Sequence, residues 1–89
     1  MHERPVTIVN RLGLHARAAA KLVTTASSFS SEVELSKNGQ KVNGKSIMGV
    51  MMLAASRGTE LILITNGNDE IVAADTLEAL IADRFGENE

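Results

Sequence analysis

Cysteine, tryptophan and tyrosine are absent from the 89-residue chain, proline occurs once, and the only phenylalanines are Phe29 and Phe85. Without cysteine no disulfide can hold the fold, which fits a reducing compartment. With only His2 and His15 as imidazoles and no thiolate, no metal-ligand spacing exists, so no metal site is expected. Scarce aromatics imply an aliphatic core. They also argue against a sheet that stacks RNA bases, because neither Phe falls in a predicted strand. The net charge of −2 points the same way, away from nucleic acid. No apolar run approaches the ~20 residues of a membrane span. The opening "MHERPVTIVN" lacks the shape of a signal peptide. The expectation is one small cytoplasmic domain with no membrane insertion.

What is present divides into clear elements. "VTIV" (Val6–Val9) is β-branched and predicts a strand. Ala19, Leu22, Val23, Ala26 and Phe29 recur at helical spacing from Ala16 onward. "SEVELSK" (Ser31–Lys37) alternates and predicts a half-buried strand. Asn38-Gly39 between two extended runs predicts a hairpin, since both turn residues need positive φ. Ser46 is a natural N-cap for the apolar run that follows it, "IMGVMML". Thr59–Thr65 predicts a strand. A last helix is expected over Asp69–Phe85, with Ile71, Ala74, Leu77, Ile81 and Phe85 inward. The order is βαββαβα, an α+β domain of three helices against a four-stranded sheet. Periodicity alone does not give the strand order. His2 reads as a disordered terminal residue.

The chemistry concentrates at "NRLGLHARAAAKLV" (Asn10–Val23), where His15 stands at the mouth of a helix beside Arg17. Helix N-termini expose unpaired N–H groups and a partial positive charge, a setting suited to phosphate. A guanidinium adds a fixed partner for phosphate oxygens. These parts suit a histidine that takes and holds a phosphoryl group, and they leave passive anion binding and plain helix capping open. Hydrolysis fits poorly, because no nucleophile and orienting carboxylate accompany the ring.

The run after Ser46 is apolar nearly all round. A short surface helix cannot bury Ile47, Met48, Val50, Met51, Met52 and Leu53 together. An exposed patch of Ile47, Met48, Met51 and Met52 is therefore expected, of the kind used for docking. Methionine suits a surface that fits several partners.

"GLHAR" (Gly13–Arg17), followed in register by "KSIMGVMML" (Lys45–Leu53), strongly resembles HPr, the histidine-containing phosphocarrier family of the bacterial phosphoenolpyruvate-dependent sugar phosphotransferase system. The resemblance spans essentially the whole chain. It implies an open-faced β-sandwich with an antiparallel sheet in the order 1-4-2-3 covered on one face by three helices, with residues 1–89 forming one phosphocarrier domain. It implies that enzyme I phosphorylates His15 on Nδ1, that Arg17 assists the transfer, and that an enzyme IIA component receives the group. Ser46 matches the serine modified by an HPr serine kinase/phosphorylase in some bacteria. Ala16, Arg17, Ile47, Met48, Met51 and Met52 match the partner-binding surface. The implied protein is a monomeric carrier in sugar uptake and its regulation, without a cofactor and not an independent catalyst. A carrier of the nitrogen-related regulatory branch is the alternative. Ala18 stands where many members have proline, which bears on how stiff the first helical turn is.

Overall fold

Asn38 and Gly39 both take left-handed backbone angles (φ 51° and 86°) and close the expected hairpin. In the computed structural model, which describes residues 1–89, this hairpin joins β2 (Glu32–Lys37) to β3 (Gln40–Asn43). The other elements are β1 (His2–Thr7), α1 (Ala16–Ser27), α2 (Ile47–Met52), β4 (Glu60–Asn66) and α3 (Glu70–Ala82), followed by a 3-10 turn at Arg84–Gly86. The strands form one antiparallel sheet in the order β1-β4-β2-β3, with His2 opposite Thr65 and Val33 opposite the same residue from the other side. The fold is the α+β open-faced sandwich. Val6, Val33, Leu35, Leu61 and Leu63 point from the sheet into a core completed by Ala19, Leu22, Val50, Leu77 and Ile81 of the helices.

Three local readings are corrected. β1 begins at His2, well before Val6, because Arg4 and His2 share the inward alternation of Val6 while being satisfied as polar groups. Arg4 ion-pairs with Asp75 (2.8 Å) and Glu78 (2.9 Å) on α3. It also donates from Nε to His2 Nε2 at 3.0 Å, so His2 is an ordered strand residue. Ile8 lies beyond the strand but stays paired, donating to the Thr59 carbonyl at 2.9 Å and accepting from Gly58 at 2.7 Å. Ile71 is exposed rather than inward. At 100° per residue it lies about 105° from the middle of the stripe formed by Ala73, Ala74, Leu77 and Ile81.

The third correction is at the end of α3. The helix stops at Ala82, and Phe85 reaches the core from the turn behind it, fully buried. Arg84 and Phe85 both have positive φ (57° and 56°). Such a conformation costs roughly 1–2 kcal/mol per L-residue, and burial of the ring, about 1.5–3 kcal/mol, offsets much of the cost of the two. Lys21 Nζ of α1 donates to the Phe85 carbonyl at 2.7 Å and fixes the turn against that helix.

The turn before α3 is locked to the end of α1. Gly67 lies so close to Ser31 that a Cβ there would stand 2.8 Å from its Cα. Asp69, although N-cap of α3, caps nothing in its own helix. It accepts from the Ser31 hydroxyl and from the Ser30 and Ser31 amides, both at 2.9 Å. These bonds, the Ser31 hydroxyl first, lower its carboxyl pKa to about 2. A depressed carboxyl contributes stability that is present above its unfolded pKa and lost as pH falls through the folded one. Asp69→Asn is therefore expected to be less stable than wild type at about pH 6, and to lose less stability between about pH 4 and pH 2. Urea unfolding of both proteins across that range is the check, and parallel pH curves would remove Asp69 from this role.

Candidate functional site

The loop carrying His15 is held by backbone. Gly13 is left-handed (φ 69°), and a Cβ there would meet the Ala55 carbonyl oxygen at 2.5 Å. Only glycine permits that approach. Leu14 N–H then donates to the same Ala55 carbonyl at 2.9 Å. From the other side Asn10, fully buried, donates from Nδ2 to the Gly13 carbonyl at 2.8 Å. His15 follows as N-cap of α1, with extended backbone angles and no capping bond from its ring. The plain capping role is thus not what the side chain performs. The first helical hydrogen bond runs from Ala19 N–H to the His15 carbonyl at 2.8 Å, so the amides of Ala16, Arg17 and Ala18 precede the ladder. No acidic side chain occupies the first turn.

The ring is held by Glu87. His15 Nε2 lies 2.5 Å from Glu87 Oε2. The other carboxylate oxygen, Oε1, accepts from Asn10 Nδ2 at 3.0 Å. These hydrogen bonds, that from Asn10 foremost, hold the Glu87 carboxyl below its ordinary pKa, against the opposing effect of burial. An ionised carboxylate only accepts, so Nε2 is the nitrogen that carries hydrogen. In the neutral ring the lone pair is then on Nδ1. Both contacts of Asn10 Nδ2 are acceptors, which fixes the amide's orientation and leaves its buried Oδ1 without a partner.

The structure brings His15, Ala16 and Arg17 together with Arg11, Leu12 and Glu87 around an open cleft of about 760 Å³. Ser46 and the methionines do not line it. Ser46 caps α2, its Oγ accepting from Gly49 N–H at 3.1 Å. α2 packs against α1. It buries Val50 and leaves Ile47, Met48, Met51 and Met52 exposed, Met48 to 76%. The expected apolar patch is present as a second surface on the neighbouring helix. Asn10 and Glu87 were not foreseen. They stand 77 residues apart, and no local pattern marks a lone Glu in the acidic tail as a partner for His15. No group of three or more His, Cys, Asp or Glu side chains is placed to hold a metal ion. No helix is long and apolar enough to cross a membrane.

A four-stranded open sheet under three helices, with a histidine presented at the unfilled N-terminus of the first helix, defines the class of histidine phosphocarriers. The family model described as the PTS HPr component phosphorylation site matches residues 2–83, and the chain belongs to the HPr family. It is 58% identical to the phosphocarrier protein HPr of Cupriavidus necator over 89 residues, the full length of both. The crystal structure of an HPr from Thermoanaerobacter tengcongensis superimposes with a TM-score of 0.96 at 47% identity, covering all of both chains. An HPr from the same organism solved as a dimer matches at a TM-score of 0.79 and 48% identity, covering 98% of this chain and all of that one. Members of this family carry phosphoryl groups in the phosphotransferase system and are not independent catalysts.

The Glu87 contact makes a direct prediction. In ¹⁵N spectra at neutral pH, neutral His15 should show the Nε2–H tautomer, and Glu87→Ala should give a mixture of both tautomers. An identical ring spectrum in the variant would show that Glu87 does not hold the proton in place.

Proposed function

We propose that residues 1–89 act as one carrier domain whose His15 accepts a phosphoryl group on Nδ1 from phosphorylated enzyme I and passes it to an enzyme IIA component in sugar uptake and its regulation. The observation that carries this reading is the Glu87 bond to Nε2, which leaves the lone pair of the neutral ring on Nδ1. As the Nδ1–P bond forms, the donor's bond to phosphorus breaks and the ring becomes cationic. Glu87, already ionised, stabilises that charge through the Nε2 hydrogen. The phosphoryl oxygens meet the free first-turn amides and the Arg17 guanidinium, which lines the same cleft. Transfer to the acceptor reverses these steps.

Donor and acceptor both seat on Ile47, Met48, Met51 and Met52, with Ala16 and Arg17 at the edge of the contact. Carrying the group between two proteins in turn requires that surface to be free, so we take the working form to be a monomer in the cytoplasm. Ser46 stands at the start of the patch and is the target of a serine kinase in this reading, which favours the sugar branch over the nitrogen-related one. Comparing transfer from the two kinds of enzyme I separates the branches.

Two variants test the scheme. His15→Ala should fold and gain no phosphate when incubated with phosphoenolpyruvate and enzyme I. Wild type should gain one that is labile to acid and stable to base, and phosphorylation of the variant would overturn the assignment. Ser46→Asp should melt near the wild-type temperature, because a negative charge is tolerated at a helix N-terminus. Its transfer rate from enzyme I should fall by about tenfold or more, since like-charge placement at an interface costs several kcal/mol and ~1.4 kcal/mol is already tenfold. Equal rates at low salt would leave Ser46 as a helix cap only.

A further inference from the structure

A second cleft, of about 670 Å³, adjoins the His15 cleft, with Arg11, Asn88 and Glu89 bordering both. Its walls bring together Arg11, Arg57 and Arg84, which come from three separate segments of the chain: the loop before α1, the turn before β4 and the 3-10 turn after α3. Glu89 is the only acidic residue in the lining. The lining therefore carries three positive side chains against one negative side chain, in a chain whose net charge is −2.

The three guanidiniums are incompletely matched. Arg11 is paired with Glu89 Oε2 at 2.7 Å. Arg84 Nη1 reaches only the Asn88 carbonyl, at 3.3 Å. Arg57 has no carboxylate within ion-pair distance. Arg84 is also placed by a left-handed backbone angle that a non-glycine residue adopts at a cost. Permanently charged groups brought to one concave surface repel one another, and an anion relieves that repulsion. Guanidiniums bind phosphoryl oxygens in pairs of parallel hydrogen bonds. A ligand with more than one phosphoryl group offers each of the three guanidiniums its own pair of oxygens, which a single phosphate does not.

We propose that this cleft binds a small molecule bearing two or more phosphoryl groups, at a site separate from His15. The ligand takes Arg57 and Arg84, which have no carboxylate partner, and competes with the Glu89 side chain for Arg11.

Pyrophosphate is the probe, titrated at low salt and without divalent metal, with binding followed by calorimetry and by amide shifts in ¹⁵N-labelled protein. Saturable binding is expected, with shifts at residues 57, 58 and 84. Arg57→Gln and Arg84→Gln should each weaken it about tenfold or more, the size expected for loss of a charge-assisted bond. Glu89→Gln should tighten it, and Arg17→Gln should leave it unchanged. The amide spectra also establish that each variant is folded. The proposal is overturned if pyrophosphate does not bind, or if binding survives Arg57→Gln and Arg84→Gln together. It is equally overturned if Arg17→Gln abolishes binding, which would place the anion at the His15 helix mouth.

Discussion

The hydrogen bond between the Glu87 carboxylate and His15 Nε2 joins the tail of the chain to the mouth of its first helix, and the rest of the site is arranged to keep that bond in place. Asn10 holds the second oxygen of the same carboxylate and, through the Gly13 carbonyl, the loop that carries the histidine. Lys21 holds the turn that leads into Glu87. Phe85, buried in the core two residues earlier, anchors that turn in the body of the protein. A left-handed stretch at Arg84 and Phe85, unfavourable by itself, is thereby converted into a means of placing one carboxylate against one ring.

The elements whose causes are local were readable from the residues. Asn38-Gly39 turns where it does because of the φ angles both residues adopt, and Ser46 caps α2 because its hydroxyl reaches the amide three residues on. The surplus of apolar side chains after Ser46 follows from the geometry of a six-residue helix. His15 at a helix mouth was readable for the same reason. What was hidden depends on distant partners. The β-branched run marks a strand only from Val6, and nothing near Arg4 in the sequence announces the Asp75 and Glu78 that satisfy it. Phe85 fits a helical period and yet reaches the core from a turn. Glu87 is one of several acidic residues in the tail, and only the folded chain distinguishes it from Glu89.

The two faces of the chemistry are physically separate. The cleft at His15 is framed by Arg11, Arg17 and Glu87, whereas the exposed apolar patch is on α2, which packs beside α1 without lining that cleft. Phosphoryl chemistry asks for fixed dipoles and charges that are already in place. Recognition of more than one protein asks for adaptable side chains such as methionine. Mounting the two on adjacent helices lets each be built for its own demand. Ser46, the cap of that apolar helix, is likewise not among the residues around the His15 cleft.

The pairing of residues far apart in the chain also governs when the site comes into being. β1 cannot find its neighbour until β4 has been made, because His2 pairs with Thr65. The imidazole of His15 waits longer still, for a carboxylate that is synthesised 72 residues later. At ribosomal rates of about 5–20 residues per second the helix mouth is complete in sequence for several seconds before its ring has a fixed orientation. A nascent chain held on the ribosome thus displays the histidine without the arrangement that directs its proton. The orientation of the His15 ring arrives with Glu87, together with the closing of the core by Phe85.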